Sequence, residues 1–82
     1  MYVVDWEPPA SDEFAVISMM HVDRWAEINA ADGDLDKKLR RDPLLFSQPV
    51  AEGLRRINRA PLVIYFSVEG KVVHVEKVRW IG

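Results

Sequence analysis

Four segments of the chain carry the pattern of β-strands, in which apolar residues alternate with polar ones or form short β-branched and aromatic runs. These segments are residues 2–6, 53–58, 62–68 and 71–79. Glu69 and Gly70 lie between the last two and predict a two-residue hairpin turn, because glycine accepts the positive φ that such a turn requires. In the last segment the valines are spaced by two and then three residues, so a bulge at Glu76-Lys77 is expected to return Val78 to the buried face.

Two helices are predicted between the first and second of these strands, because apolar residues recur there at helical spacing. The first helix begins near Ser11, whose hydroxyl suits an N-cap position. The second ends at Asp42, because the residue before Pro43 is driven out of the helical region. The stretch that follows, residues 44–52, is expected to be irregular.

The predicted element order is β-α-α-β-β-β. Such an order describes a single α+β domain over residues 1–82, with a helical hairpin packed on a mainly antiparallel four-stranded sheet. The predicted core consists of apolar residues on the inner faces of both helices and of the last two strands: Phe14, Ile17, Trp25, Leu35, Leu39, Ile64, Phe66, Val73, Val75 and Val78.

Composition narrows the class of protein. Of the 82 residues, 49% are hydrophobic and 29% are charged, which is ordinary for a soluble globular fold. The absence of cysteine excludes disulfides, a cysteine nucleophile and thiolate metal sites. The apolar runs fall far short of the ~20 residues that a membrane span needs, and no basic leader follows Met1. We therefore expect a cytoplasmic protein without a membrane partner.

The net charge of −2 conceals an uneven distribution of charged residues. Residues 1–36 contain nine acids and one base, whereas residues 37–59 contain seven bases and two acids. Two interpretations stay open: both segments are solvated surfaces, or the basic segment contacts an acidic or nucleic-acid partner. If the hairpin folds as predicted, five cations gather on one side of the sheet as a binding site for phosphate or a target: Arg55, Arg56, Arg59, Lys77 and Arg79.

His74 is the best acid–base candidate in the chain, because histidine titrates near neutrality. It is out of phase with Val73 and Val75, so it lies on the other face of the last strand, where a surface or cross-strand role is the competing interpretation. His21 falls on the apolar face of the first helix and is expected to pack there. Neither histidine has acidic residues at metal-ligand spacing, so we expect no metal site and no cofactor. Trp80, near the end of the last strand, is a candidate anchor for a partner.

Five fragments spread over nearly the whole chain form a further pattern. They are Val4-Asp5-Trp6 with Pro8; Ala30-Ala31 with Leu35, Leu39, Asp42 and Pro43; Gly53-Leu54-Arg55-Arg56; Pro61-Leu62-Val63-Ile64-Tyr65-Phe66 with Val68; and Val73, Val75 and Val78. In this order and at this length they resemble the RelE/ParE superfamily of toxins from bacterial type II toxin–antitoxin modules. The resemblance implies the α+β fold predicted above and a cognate antitoxin as partner.

The resembled superfamily has two main activities. RelE-type members enter the ribosomal A site and cleave mRNA, whereas ParE-type members poison DNA gyrase without nuclease chemistry, and an antitoxin segment wraps and neutralises both. By resemblance, Arg55 and Arg56 occupy the strand on which nuclease members keep basic residues. The chain departs from the nuclease pattern at Leu62, where an arginine is common, and after Arg79, where no tyrosine follows.

Three functions therefore stay open. The first is a toxin that binds an antitoxin and inhibits translation or DNA gyrase through a basic sheet surface. The second is a catalytically inert interaction domain of the same fold, and the third is a ribosome-dependent mRNA endoribonuclease. RNA cleavage needs an acid and a base as well as cations, and arginine stays protonated, so the residues favour target binding. We also expect the chain, made alone, to self-associate as a homo-oligomer or to be poorly soluble.

Overall fold

The computed structural model describes residues 1–82 and has two helices packed against one face of a five-stranded sheet. The elements in chain order are β1 Val3–Trp6, α1 Pro8–Met20, a 3₁₀ turn Val22–Arg24, α2 Trp25–Arg41, β2 Gln48–Ala51, β3 Leu54–Arg59, β4 Leu62–Glu69 and β5 Val72–Trp80. The strands lie in the order β1-β5-β4-β3-β2, in which β1 is parallel to β5 and all other neighbours are antiparallel. The predicted α+β class and helical hairpin are confirmed. Neither helix is long and apolar enough to cross a membrane.

The first helix begins three residues earlier than predicted. Pro8 and Pro9 occupy its first positions, and Glu7 precedes them in an extended conformation. Proline fits at the start of a helix because the first amides have no intrahelical acceptor and the φ of proline is already helical. The prediction of a start at Ser11 is therefore wrong, and the two prolines that end β1 also begin α1.

β2 is the strand that sequence reasoning missed. Pro49 argued against a strand here, because proline cannot donate a hydrogen bond to a neighbour. The strand lies at the edge of the sheet, where only one neighbour has to be paired, and its register with β3 shifts between Pro49 and Ala51. Part of the segment expected to be irregular is thus a fifth strand, and the prediction of four strands is wrong.

The bulge in β5 lies where the valine spacing predicted it. Tyr65 pairs with Lys77, and the next residue, Phe66, pairs with Val75. Glu76 is therefore the extra residue in β5, and it restores the valines on either side of it to the same face.

The turn between β4 and β5 is shifted by one residue from its predicted position. Glu69 still pairs with Val72, so the turn residues are Gly70 and Lys71. Gly70 has a φ of 60°, which is the conformation that glycine was expected to supply. The prediction of Gly70 in the turn is confirmed, but the other turn residue is Lys71 and not Glu69.

The core lies between the helical hairpin and the sheet. Its buried residues are Ala10, Ile17, Ile28, Ala31, Leu35, Leu39, Ile57, Leu62, Ile64, Phe66, Val73, Val75 and Val78. The predicted burial of Trp25 is wrong, since this side chain is 63% exposed. Trp25 is the first residue of α2, and the buried stripe of that helix starts only at Ile28. Phe14 is half-buried and packs edge-on against Trp6, with ring centroids 5.6 Å apart.

Strand pairing divides the side chains of the sheet between two faces, because successive residues of a strand point to opposite sides. Ile57, Ile64 and Val78 lie side by side on the face that the helices cover. The opposite face carries no helix, and we call it the open face.

Candidate functional site

Three side chains form a row across the open face, which we call the cationic row: Arg56 of β3, Tyr65 of β4 and Lys77 of β5. The strand register places the tyrosine directly between the two cations. Both cations are exposed, and neither takes part in an ion pair. The polar contact of Arg56 is a long hydrogen bond from its Nη2 to Gln48 Oε1, at 3.4 Å. The two charges are therefore free to meet an anion.

Tyr65 separates two shallow depressions of the open face. The first, of about 310 Å³, is lined by Val50, Leu54, Tyr65, Lys77 and Arg79, and the second, of about 200 Å³, by Arg56, Asn58, Val63, Tyr65 and Ile81. An aromatic ring flanked by a guanidinium and an ammonium suits a nucleic-acid strand, because a base stacks on the ring while phosphate oxygens accept hydrogen bonds from the cations.

Arg55 and Arg59 face the helices, so the prediction that five cations gather on one side of the sheet is wrong. Arg55 Nε donates to Ser47 Oγ at 2.8 Å, and Arg55 Nη2 donates to the Ser47 carbonyl at 3.2 Å. Arg59 Nε lies 3.6 Å from Asp34 Oδ2 of α2. These two arginines hold the sheet to neighbouring segments of the chain.

Arg79 belongs to the open face by register, but Glu13 of α1 holds its guanidinium in an ion pair. Glu13 Oε1 also accepts a hydrogen bond from the backbone N–H of Val78, at 3.0 Å. The Glu13 carboxylate thus accepts a hydrogen bond from a backbone N–H of β5 that β1 does not reach, and it also neutralises the charge of Arg79. A ligand on the open face meets Arg56 and Lys77 as its free cations.

His74 lies on the β1 side of the open face among three carboxylates, and we call Asp5, Glu7, Glu69 and His74 the His74 cluster. The imidazole Nδ1 is 3.1 Å from Glu7 Oε1 and 3.7 Å from Asp5 Oδ2, and Nε2 is 3.4 Å from Glu69 Oε1. The parallel pairing of β1 with β5 makes Asp5 and His74 direct neighbours. His74 therefore has carboxylates at ligand distance, although the spacing of acidic residues along the sequence indicated none. An open depression of about 390 Å³ adjoins the cluster.

The carboxylates change the titration of His74. Partial desolvation of the imidazole lowers its pKa, but the hydrogen bonds and negative charges of Glu7 and Glu69 together outweigh that cost, so the pKa is raised above 6.5. A raised folded-state pKa means that the imidazolium stabilises the fold below about pH 6.5, the unfolded value. This contribution is lost as the pH rises through the folded value.

We expect an NMR titration of the His74 imidazole, with a chelator present, to have its midpoint above pH 6.5. Glu7→Gln and Glu69→Gln together should move the midpoint down, because they remove the main charges that favour the imidazolium while Asp5 is left in place. A wild-type midpoint at or below 6.5 would mean that desolvation outweighs the carboxylates.

The surroundings of His74 bear on its candidate role in acid–base chemistry. RNA cleavage brings an anionic phosphate to the acid and the base, whereas Asp5, Glu7 and Glu69 present negative charge around this imidazole. The catalytic assignment of His74 stays a prediction, and the electrostatics of the cluster oppose it.

Trp80 is half-buried, and the side chains of His21 and Arg24 lie against its ring. Its ring is parallel to that of His21, with centroids 3.7 Å apart and an interplanar angle of 5°, and the Arg24 guanidinium lies 4.9 Å from its centroid. His21 is packed, as expected, but it lies one residue beyond α1 and stacks on Trp80 of β5. Trp80 as a partner anchor stays a prediction.

An apolar groove lies between α1 and the end of β5 and was not foreseen from the sequence. Its volume is about 280 Å³, and Val16, Ile17, Val78 and Trp80 supply its apolar walls. Val16 is 52% exposed, and Met19 and Met20 continue the exposed apolar surface along α1. We call the groove, together with Met19 and Met20 beside it, the α1 groove. The sequence signal was the run Val16 to Met20, which has more apolar residues than one buried helix face requires.

Comparisons with known proteins identify the fold. No family model matches the chain, and no curated protein matches it. Among solved structures, a chromosomal ParDE toxin–antitoxin system from P. aeruginosa aligns over 100% of this chain and 98% of its own, with a TM-score of 0.78 and 16% identity. The toxin–antitoxin complex RelBE2 from Mycobacterium tuberculosis aligns over 96% of both chains, with a TM-score of 0.68 and 17% identity. The chain therefore has the fold of the RelE/ParE-type toxins, as its sequence fragments predicted.

Proposed function

We propose that the chain is the toxin component of a toxin–antitoxin module, which binds a cognate antitoxin and inhibits an intracellular target, translation or DNA gyrase, through the cationic row. The observation that carries the proposal is the row itself, because Arg56 and Lys77 are exposed cations without ion-pair partners on either side of an aromatic ring. The fold shared with two solved toxin–antitoxin systems supports the same class of function.

Binding of the target, rather than cleavage of RNA, follows from the chemistry of the row. Arg56 and Lys77 supply positive charge, but a guanidinium or an ammonium has no lone pair with which to act as a general base. The one histidine on this face is enclosed by carboxylates. Primer extension on cellular mRNA after induction tests this step, and we expect no new cleavage sites. Cleavage sites that vanish with His74→Gln would favour the endoribonuclease instead.

The α1 groove is the proposed antitoxin site. An amphipathic segment laid in a hydrophobic groove buries its apolar residues and leaves its polar face in water. Exposed apolar side chains such as Val16 and Met20 gain most from that burial, at roughly 25 cal/mol per Å². The same surface, left uncovered, accounts for the expected self-association of the chain made alone.

The toxin hypothesis is tested by expressing the chain from an inducible promoter in a host that lacks the antitoxin. We expect growth to stop on induction and to resume when the protein encoded by the adjacent gene is expressed with it. Unimpaired growth at verified levels of folded protein would favour the inert interaction domain.

Val16→Asp is expected to separate toxicity from neutralisation. The variant should still arrest growth, because Val16 lies on α1 and lines neither depression beside Tyr65. Coexpressed antitoxin should fail to rescue it and should not copurify. Leu45→Asp is a matched control, because Leu45 is 71% exposed in the loop after α2. Rescue of the Val16→Asp variant by the antitoxin would place the partner site elsewhere.

A further inference from the structure

We propose that Asp5, Glu7 and His74 form a binding site for a divalent transition-metal ion, with Zn²⁺ as the best fit. One ligand atom from each residue lies within 4.8 Å of the other two. The proposal concerns the β1 side of the open face and rests on no part of the proposed function.

The distances match what a zinc ion requires. Zinc bonds of about 2.0–2.2 Å in a tetrahedral arrangement separate the ligand atoms by about 3.3–3.6 Å. His74 Nδ1 is 3.1 Å from Glu7 Oε1 and 3.7 Å from Asp5 Oδ2. Small side-chain rotations bring all three atoms onto one ion, and water from the adjoining depression supplies the fourth ligand.

The backbone holds the ligands in place. Asp5 and His74 are register partners in the parallel β1–β5 pair, so their side chains emerge side by side on the open face. Glu7 follows at the end of β1, where its backbone N–H donates to the Val75 carbonyl at 2.9 Å. Sites built on paired strands lose little entropy when a ligand binds, because the strands already fix the backbone.

Glu69 supplies the outer support that metal-binding histidines usually have. With Nδ1 on the metal, Nε2 carries the ring proton, and this N–H donates a hydrogen bond to a carboxylate. The hydrogen bond fixes the tautomer and the ring orientation. Glu69 Oε1 lies 3.4 Å from Nε2, on the side of the ring away from Asp5 and Glu7. This arrangement distinguishes the cluster from a group of surface acids.

The donor set selects the metal. An imidazole nitrogen with two carboxylates suits Zn²⁺ and its first-row neighbours, whereas Mg²⁺ and Ca²⁺ prefer oxygen ligands alone. The three carboxylates around one imidazole also leave an excess of negative charge, most of which a divalent cation offsets. A metal ion bound here ties β1, the edge strand, to β5.

Titration calorimetry of the tag-free, chelator-treated protein with zinc chloride alone tests the site. We expect one ion to bind per chain, and magnesium chloride to give no binding. Glu69→Gln removes an outer-shell partner and should weaken zinc binding by about 10- to 100-fold. His74→Gln removes a ligand and should weaken zinc binding by more than that. Bound zinc should also raise the melting temperature of the wild type but not of His74→Gln.

His21→Gln is the matched control, because His21 stacks on Trp80 and has no carboxylate partner. Its zinc affinity should equal that of the wild type. Circular dichroism checks the fold of each variant, and Glu7→Gln serves as a second ligand variant if His74→Gln does not fold. Absence of stoichiometric zinc binding to the wild type, or equal affinity in folded variants lacking a ligand, overturns the proposal.

Discussion

Expression of the Arg56→Glu, Lys77→Glu variant is expected to leave the growth of a host without the antitoxin unimpaired, under conditions in which the wild type arrests it. The two substitutions reverse both cations of the cationic row, so the variant repels the anionic group that the proposed function places between them. Neither residue has an ion-pair partner to lose, and exposed charges of this kind contribute at most about 1 kcal/mol to stability. Growth curves after induction, with protein levels checked by immunoblot, measure the effect.

A charge-matched control separates the effect of the cationic row from the effect of the change in net charge. Lys37→Glu with Arg41→Glu changes the net charge by the same amount at two exposed positions on α2, and neither residue takes part in an ion pair. This variant should arrest growth as the wild type does. If both double variants behave alike, the target does not bind at the row.

Arg56→Lys adds a test of geometry. A planar guanidinium binds phosphate through two parallel hydrogen bonds, whereas an ammonium acts as a point charge. We expect this variant to weaken growth arrest less than charge reversal does. Arrest at the wild-type level would mean that charge alone is recognised.

The helices and strands were predictable because their signals are local. The stripe that includes Leu35 and Leu39 has helical spacing, and Val73 and Val75 have the two-residue period of a strand, so each face is encoded in a few neighbouring residues. The bulge at Glu76 was predictable for the same reason, since it appears as one extra residue between valines that face the core. β2 was missed because Pro49 is a poor strand residue, and the edge position that tolerates it depends on the whole sheet.

The sequence does indicate that the cations are divided between the two faces of the sheet, although we predicted all five on one side. Arg55 and Arg56 are consecutive in one strand, so they cannot share a face. The His74 cluster, by contrast, depends on contact between residues far apart. Glu7 and His74 are 67 positions apart, and no local pattern states that β1 pairs with β5 rather than with another edge. Such parallel pairing follows from where the helical hairpin returns the chain to the sheet.

Phe66→Ala is expected to destabilise the fold more than any other single truncation of the sheet. Phe66 is fully buried at the centre of β4, with β3 and β5 on either side and the helical hairpin above it. Removing its ring costs about 3–5 kcal/mol, because the surrounding residues collapse only partly into the space. A domain of this length has about 4–12 kcal/mol of total stability, so much of the margin disappears.

Thermal or urea denaturation followed by circular dichroism measures the loss. A domain of this size loses about 4–8 °C of melting temperature per kcal/mol, so we expect a fall of at least about 12 °C or a chain that is unfolded at 37 °C. Phe66→Leu keeps most of the volume and should cost less than about 1.5 kcal/mol.

Phe46→Ala is the control for the same truncation outside the core. Phe46 is 40% exposed in the loop after α2, where its ring lies 5.7 Å from Lys38 Nζ. Loss of such a cation–π contact costs about 0.5–1 kcal/mol at an exposed site, well below the cost at Phe66. Equal destabilisation by the two truncations would mean that the helices do not pack on the face of the sheet that carries Phe66. The open face would then not be the face left for a target, and the assignment of the cationic row would fail with it.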